Sequence, residues 1–230
     1  MRNEIDLGAA ALADPERRLA LAYAPARARD GMALLWSLDE RLGDIVRSTT
    51  EPMIGQMRLT WWHGAMAALN TAPPPAEPLL RAMAATLPRY HLTPAALLPL
   101  VEGWEMLIEP FPLGPGQLDA YAQGRGAAAF DAATRMAGEA PTGEICAAGR
   151  GWALADLAFH CSDRATAQAA LDAAGVALSN APRRWPGRLR ALGLLTVLAR
   201  RDVAAGLGKP RRLGSPARLL RAVAHRVTGR

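Results

Sequence analysis

Apolar residues between Ala26 and Arg47 recur at three- and four-residue steps. This spacing places a single apolar stripe along an α-helix. The stripe consists of Met32, Leu35, Leu38, Leu42, Ile45 and Val46. Alanine and leucine dominate the whole chain while β-branched residues are scarce, which favours helix nearly everywhere. Because no segment alternates as a half-buried strand does, the sequence predicts an all-α orthogonal bundle of about nine or ten helices.

The helix boundaries follow from prolines, glycines and capping residues. Ser48–Thr50 separates two helices, and Pro52 suits the first turn of the second one. We expect helices over about residues 3–22, 26–47, 52–69, 77–87, 93–109, 117–137, 141–161, 164–179, 183–201 and from 215 onward. At 230 residues the chain is long enough for a sizeable core, and we expect one domain over 1–230.

The C-terminal part, residues 183–230, is strongly basic because arginine recurs throughout and Asp202 is its only acid. Such a surface suits lipid headgroups, phosphates or an acidic partner; the alternative is a set of solvated helix faces. These helices almost lack asparagine, glutamine and aromatic residues. Sequence-specific nucleic-acid binding is therefore not expected.

Cysteine usage and hydropathy indicate the cellular compartment in which the protein is expected. Cys146 and Cys161 lie fifteen residues apart, which predicts separate apolar thiols and neither a disulfide framework nor a zinc cluster. The N-terminus lacks the apolar region of a signal peptide, and no stretch approaches the ~18 uncharged residues of a membrane span. We expect a cytoplasmic protein whose basic part allows a peripheral position at the inner membrane.

The densest cluster of acids, arginines and tryptophans lies between Trp36 and Trp62. Glu40, Asp44 and Arg47 share one face of the first helix, and Asp39 lies at the edge of that face. Two interpretations stay open, namely a charged site where two helices meet and a solvated corner with an ordinary Asp44–Arg47 ion pair. The usual catalytic signatures are missing, since the chain has no complete glycine-rich phosphate loop and its four histidines are dispersed.

The middle of the helix predicted over 117–137 is made of small residues, Gly124 to Ala129. Glycine inside a helix costs about 1 kcal/mol, so the pattern indicates a close helix approach or the floor of a pocket. Tyr121 and Arg125 lie one turn apart there. They either face a cavity or form a pair on the helix surface.

The segment Met32-Ala33-Leu34-Leu35-Trp36-Ser37-Leu38-Asp39 resembles a helix of the squalene/phytoene synthases. These are all-α isoprenoid synthases that join two prenyl diphosphates head to head. Gly103-Trp104-Glu105 and the stretch from Tyr121 to Gly138 are similar to the middle helices of that family. The resemblance implies an isoprenoid-synthase-like fold with a helix-lined cavity for a prenyl diphosphate or lipid ligand.

In that family two aspartate-rich motifs hold Mg²⁺ against the diphosphate leaving group. The first pattern, Asp-Asp/Glu-x-x-Asp, falls on Gly43-Asp44-Ile45-Val46-Arg47, where only Asp44 is retained. The second falls near Asp156 and Asp163, where the paired aspartates are absent. No catalytic set is intact and no cofactor is expected. The remaining candidates are Asp39, Glu40, Asp44 and Asp156, with Asp44 and Asp156 as the metal ligands if Mg²⁺ binds.

A second segment, Glu51-Pro52-Met53-Ile54-Gly55-Gln56-Met57-Arg58-Leu59-Thr60-Trp61-Trp62, resembles a divergent branch of the same family. That branch includes a mitochondrial complex I assembly factor and also lacks the aspartate motifs. Within the segment, Arg58 pairs with Glu51 or with a bound anion. Trp61 and Trp62 are interpreted as core and cavity wall. With these four residues, Tyr121 and Arg125 complete the predicted ligand cavity.

Two functional hypotheses remain. The first is a non-catalytic prenyl- or lipid-binding protein or complex I assembly-type factor, whose basic C-terminal helices meet a membrane surface or a respiratory-complex subunit. The alternative is an active Mg²⁺-dependent head-to-head prenyl diphosphate transferase. The first is favoured because the loss of both aspartate motifs removes the leaving-group chemistry.

Overall fold

The computed structural model describes residues 12–230, so residues 3–11 of the first predicted helix lie outside the described range. Capping side chains mark the start of several helices. The Asp14 carboxylate accepts the Glu16 N–H at 2.7 Å and opens the first helix, and Asp163 accepts the Thr166 N–H at 2.7 Å. The α-helices in this range are α1 (Pro15–Tyr23), α2 (Arg29–Ser48), α3 (Pro52–Ala68), α4 (Pro78–Thr86), α5 (Leu98–Glu105), α6 (Pro115–Tyr121), α7 (Ala128–Met136), α8 (Gly143–His160), α9 (Arg164–Ser179), α10 (Arg190–Ala205) and α11 (Pro216–Thr228).

The all-α prediction is confirmed, since residues 12–230 contain no strand. Helix α8 packs against α7, α9 and α10, while α2 packs against α3, α4, α5 and α7. The two central helices meet through Trp36 of α2 and Trp152 of α8, whose ring centroids lie 5.4 Å apart. Buried apolar side chains from Leu12 to Ala222 form one cluster around this contact.

Residues Ala122–Ala127 form a π-helical segment that joins α6 to α7. Because its glycines lack side chains, the backbone of this segment packs directly against the backbones of α5 and α8. A Cβ on Gly124 would lie 2.8 Å from the Cα of Gly103 in α5, and a Cβ on Gly126 would lie 2.7 Å from the carbonyl carbon of Gly149 in α8. The close approach predicted from the small residues is therefore confirmed. The segment carries Arg125 into the centre of the bundle.

Three predicted helices differ in their boundaries. Residues 12–14 of the helix expected over 3–22 are not helical, because α1 begins at Pro15 after the Asp14 cap. The helix expected over 93–109 is a 3₁₀ turn at Pro94–Leu97 followed by the short α5, because Pro99 is placed in the first turn of α5. The helix expected from residue 183 begins at Arg190, since the chain is extended at Pro186. Proline fixes φ and lacks a donor, and both effects favour a helix start over a helix interior.

Candidate functional site

Asp39 lies at the centre of the bundle with no solvent exposure. On α2 it is four residues after Leu35 and three before Leu42, so it shares their inward face. Its Oδ1 accepts hydrogen bonds from Trp104 Nε1 at 2.8 Å and from Arg125 Nε at 2.8 Å. Its Oδ2 accepts from Arg17 Nη2 at 2.7 Å and from Arg125 Nη2 at 2.9 Å. Each carboxylate oxygen thus receives two donors, which fills its acceptor capacity.

Two arginines keep the Asp39 carboxylate charged. Burial by itself raises the pKa of Asp39, but the neighbouring Arg125 and Arg17 guanidiniums outweigh it, so the pKa lies below its usual value. An opposite charge within hydrogen-bond distance stabilises the ionised form, and the low local dielectric strengthens that attraction.

Arg125 bridges the two central helices. Its guanidinium is 1 % exposed and contacts Asp39 of α2 on one side and Asp156 of α8 on the other, with Nη2 lying 2.8 Å from Asp156 Oδ2. Tyr121 is fully buried and its hydroxyl accepts from Nη1. Burial raises the pKa of this phenol. The surface-pair interpretation of Tyr121 and Arg125 is therefore wrong, because the end of α6 and the π-helical segment turn these side chains inward.

Aromatic rings surround the same guanidinium. The Arg125 Cζ atom lies 4.3 Å from the ring centroid of Trp104 and 4.8 Å from that of Trp152. The Arg17 Cζ atom lies 5.4 Å from the Trp152 centroid. Ring faces attract cations by their quadrupole, more strongly when water is excluded. The rings and carboxylates together compensate the loss of hydration that burial imposes on both arginines.

Asp156 of α8 is held from three directions. Besides Arg125, Arg211 Nη1 donates to Oδ1 at 2.8 Å, and His160 Nδ1 lies 3.3 Å from the same oxygen. Burial raises the pKa of Asp156, but Arg125, His160 and Arg211 together bring it well below its usual value. The hydrogen bond to Asp156 raises the pKa of His160 in return.

The ion pairs continue into the C-terminal part of the chain. Arg211 Nε lies 3.1 Å from Asp202 of α10, and Arg218 Nη2 of α11 donates to Asp202 at 3.1 Å and to Glu16 of α1 at 2.7 Å. Since Glu16 directly precedes Arg17 in α1, the backbone connects the last of these ion pairs to the first. We call this set of contacts the arginine–carboxylate ring, and its members are Glu16, Arg17, Asp39, Arg125, Asp156, Asp202, Arg211 and Arg218.

This arrangement corrects the prediction that the C-terminal arginines as a group face outward. Arg211 and Arg218 belong to the ring. Arg190 Nη1 donates to the Arg226 carbonyl at 3.0 Å, and Arg200 Nη2 donates to the Ala181 carbonyl at 2.9 Å. These four arginines tie the C-terminal helices to the bundle because the ring and the helix ends supply acceptors that composition does not reveal.

The other acidic candidates of α2 lie apart from Arg125, although Glu40 Oε1 lies 3.7 Å from Arg17 Nη1. The Asp44 side chain is 67 % exposed and pairs with Arg47 at 2.8 Å, as the solvated-corner interpretation predicts. Glu40 accepts the backbone N–H of Ala13 at 2.9 Å. Asp44 follows Asp39 by five residues, which places it about 140° around the helix. Asp44 and Asp156 therefore do not face each other, and Asp39 is the α2 carboxylate that Arg125 connects to Asp156.

The predicted cavity residues of the second segment lie on α3 or directly before it. Trp62 is buried, whereas Trp61 is 49 % exposed. Glu51 is exposed just before α3. Arg58 donates to Thr49 Oγ1 at 2.9 Å, so a neighbouring hydroxyl holds it in place of Glu51. These four side chains lie outside the lining of the central cavity, whereas Tyr121 and Arg125 lie within it.

That cavity has a volume of about 570 Å³ and opens beside the C-terminal end of α2. Arg125 and Asp156 form its polar floor. Arg47 and His160, each about half exposed, also line it. The apolar lining comes from Val46, Trp104, Leu107, Ile108, Pro110, Phe111 and Leu157. The site is an apolar cleft above a neutralised ionic floor.

Several members of the site escape sequence reasoning. Arg17, Arg211 and Arg218 occur in ordinary helical or basic stretches without a local signal. Trp104 did have a local sequence signal, because Gly103-Trp104-Glu105 resembles a helix of the family. The Asp39 contacts join residues 22, 65 and 86 positions away. No spacing rule within one helix reaches that far.

Comparison with known structures defines the fold. The chain superimposes on a dehydrosqualene synthase solved in complex with ligand, with a TM-score of 0.68, 12% sequence identity, and coverage of 91% of this chain and 89% of that one. At this identity the match establishes the isoprenoid-synthase-like fold.

The family follows from the sequence. The squalene/phytoene synthase family model matches residues 11–181, and the chain belongs to that family. A comparison with curated protein sequences found no match. The matched residues include both central helices and the π-helical segment.

The donor set does not fit the magnesium ions that this family implies. Mg²⁺ requires free oxygen ligands in near-octahedral geometry, but the oxygens of Asp39 and Asp156 already accept hydrogen bonds from arginine. Within residues 12–230, no group of three His, Cys, Asp or Glu side chains is placed to hold a metal ion. Arg125 supplies the positive charge between α2 and α8.

Proposed function

We propose that this squalene/phytoene synthase family protein is non-catalytic and binds a prenyl or other lipid chain in its central cavity. This proposal rests on the position of Arg125 between Asp39 and Asp156. A guanidinium there repels a metal ion and neutralises the carboxylates that would bind one. A leaving diphosphate would have no metal to stabilise its charge.

The cavity supports the ligand class. Its lining is mainly apolar, and Trp104 provides a flat wall against which an unsaturated chain can lie. The arginine on the cavity floor is already matched by carboxylates, so the floor offers little surplus charge to a diphosphate. A prenyl alcohol or acyl chain fits this environment better than a doubly charged headgroup does.

We further propose that the protein serves as an assembly-type factor for respiratory complex I. Support comes from the Glu51–Trp62 segment, which resembles the divergent branch that contains such a factor. In that segment one face of α3 presents Met53, Ile54, Met57 and Trp61 to solvent while the opposite face packs into the bundle. Methionine and tryptophan are typical of protein-binding surfaces.

Product analysis tests the absence of catalysis. The purified chain is incubated with farnesyl or geranylgeranyl diphosphate and Mg²⁺, and no coupled hydrocarbon is expected. The alternative, an active prenyl diphosphate transferase, predicts product that disappears in Asp44→Ala or Asp156→Ala. Product formation by the wild-type chain would overturn the non-catalytic proposal.

Ligand binding has its own test. Quenching of tryptophan fluorescence by a prenyl alcohol is measured for the wild type and for Leu107→Trp, which narrows the cavity. Binding is expected in the wild type and should weaken at least tenfold in the variant. Leu213→Trp, at an exposed position outside the cavity, is the matched control. Equal affinity of all three chains would contradict binding in this cavity.

The assembly role is tested in a deletion strain. Loss of assembled complex I is expected, with rescue by the wild-type chain and failure of rescue by Met57→Glu. Val176→Glu, which also replaces an exposed apolar residue, is expected to rescue. Normal complex I assembly in the deletion strain would refute this part of the proposal while leaving lipid binding intact.

A further inference from the structure

Helix α11 presents an apolar face away from the protein. Its inner face carries Arg218, Ala222 and His225, which are buried. The opposite face carries Leu220 at 72%, Val223 at 58% and Val227 at 76% exposure, with Leu219 beside them. A surface helix normally buries its apolar stripe. Here the helix is anchored through polar groups, and its outer apolar stripe lacks a partner among residues 12–230.

Arginines border this stripe on both sides. At about 100° per residue, Arg221 and Arg226 fall on opposite flanks of the Leu220–Val227 stripe. Arg226 is held with its guanidinium 4.9 Å from the Tyr23 ring centroid. Arg212 and Arg230 are exposed before and after the helix. The chain from residue 203 to 230 contains no acid, so the whole border is positive.

This combination of apolar and basic side chains favours one class of partner. An apolar stripe with arginine on both flanks is the pattern of a helix that lies in the plane of a membrane interface. A second copy of α11 is disfavoured because it would bring like charges together. The exposed apolar face of α3 lacks such a uniformly positive border, since Glu51 and Arg58, which have opposite charges, border it.

We infer that α11 docks on an anionic lipid bilayer, with Leu220, Val223 and Val227 at the acyl boundary and the bordering arginines on lipid phosphates. This inference goes beyond the proposed function and does not depend on what the central cavity binds. Arg218 fixes the helix from its inner side through Glu16 and Asp202. The docking surface is therefore a rigid part of the fold and does not require folding on contact.

Vesicle flotation of the full chain tests the inference. Binding to vesicles of phosphatidylcholine mixed with phosphatidylglycerol is expected, with much weaker binding to phosphatidylcholine alone. Raising the salt concentration should release the protein, because exposed charges are screened. Failure to float with the anionic vesicles, or equal binding to both compositions, would overturn the inference.

Variants separate the two contributions. The double variant Leu220→Ser/Val227→Ser should weaken binding at least tenfold, because each apolar side chain leaves the acyl boundary. Arg212→Gln and Arg221→Gln should each weaken it about fivefold. Val176→Ser and Arg81→Gln remove an exposed valine and an exposed arginine elsewhere and should bind as the wild type does.

Two further measurements close the test. All the replaced side chains are exposed, so thermal unfolding midpoints should match the wild type, and the arginine variants test the inference even if the serine variant unfolds. Light scattering without lipid should report the same mass for the wild type and Leu220→Ser/Val227→Ser. Unchanged flotation of the variants, or a smaller mass for the serine variant, would show that the face does not bind lipid or instead pairs with a second copy.

Discussion

Helix α2 carries two arginine–aspartate contacts of the same chemistry in opposite surroundings. Asp39 accepts four hydrogen bonds inside the bundle, two of them from Arg125. Asp44, less than two turns later, forms a solvent-exposed ion pair with Arg47. Buried charges interact strongly and lose much free energy when one partner is removed, whereas exposed pairs contribute little. The comparison explains why the aspartate that aligns with the family motif is not the one that organises the centre.

The difference also bears on metal binding. The exposed Asp44 carboxylate retains free lone pairs beside Arg47, but it does not face Asp156. The buried carboxylates do oppose each other, yet Arg125 lies between them. Neither region offers Mg²⁺ what it requires, for different physical reasons. Perturbing the two regions separately tests this reasoning.

Removal of the buried carboxylate should have the largest effect. Asp39→Ala leaves Arg17 and Arg125 without their shared counter-charge in a water-poor interior. We expect a loss of about 3–5 kcal/mol in the free energy of unfolding, measured by urea denaturation. A loss below about 1 kcal/mol would mean that water reaches these arginines and that the ring is not a closed interior structure.

The backbone contact that positions Arg125 should come next. Gly126→Ala places a Cβ against the backbone of Gly149 in α8 and should cost about 1–3 kcal/mol, since the core has no room to adjust. Gly64→Ala in α3 is the matched control, because no atom lies within 4 Å of the added Cβ. That control should gain about 0.5–1 kcal/mol. Equal effects at both sites would contradict the close approach.

The buried carboxylates should make the stability of the protein sensitive to acid. The folded pKa values of Asp39 and Asp156 are lowered by their arginines. Their contribution to stability is thus fully present above about pH 4, the unfolded value, and is lost as pH falls through the lowered folded values. Urea denaturation across a pH series should show this loss in the wild type and equally in Asp44→Ala. A weaker acid response in Asp44→Ala would place the titrating group at the surface.

His160 titrates with the opposite sign. Its pKa is raised by Asp156, so its contribution is complete below about pH 6.5 and is lost as pH rises through the folded value. The effect should be small because the ring is half exposed. Denaturation of His160→Ala should show less decline in stability between neutral and alkaline pH than the wild type shows. An identical decline would assign it to another group.

The smallest effect is expected at the exposed pair. Asp44→Ala should change the free energy of unfolding by less than about 0.5 kcal/mol, since water solvates Arg47 when its partner is removed. High salt should leave even that difference undetectable. Urea denaturation at low and high salt provides the measurement. A loss comparable to that of Asp39→Ala would show that the surface contact has a structural role the geometry does not indicate.

Local pattern was sufficient to predict much of the fold. The apolar spacing of α2 and the glycines around Arg125 could be recognised in the sequence, because each pattern acts within a few residues. The resemblance of Glu51–Trp62 and of the α2 helix pointed to the family that the comparison with the family model then established. Helix boundaries failed mainly at prolines, where a 3₁₀ turn or an extended residue replaced the expected helix.

The centre of the molecule was decided by tertiary structure. Asp39 and Asp44 are indistinguishable by residue type, and the sequence places Asp39 only at the edge of a polar helix face. Its partners come from α1, α5 and the π-helical segment, and which arginines reach it depends on how those elements pack. The sequence by itself determined an all-helical chain with eroded aspartate motifs. Only the packing placed Arg125 between the two central carboxylates, because the low dielectric of the interior makes such charges stable only in mutual contact.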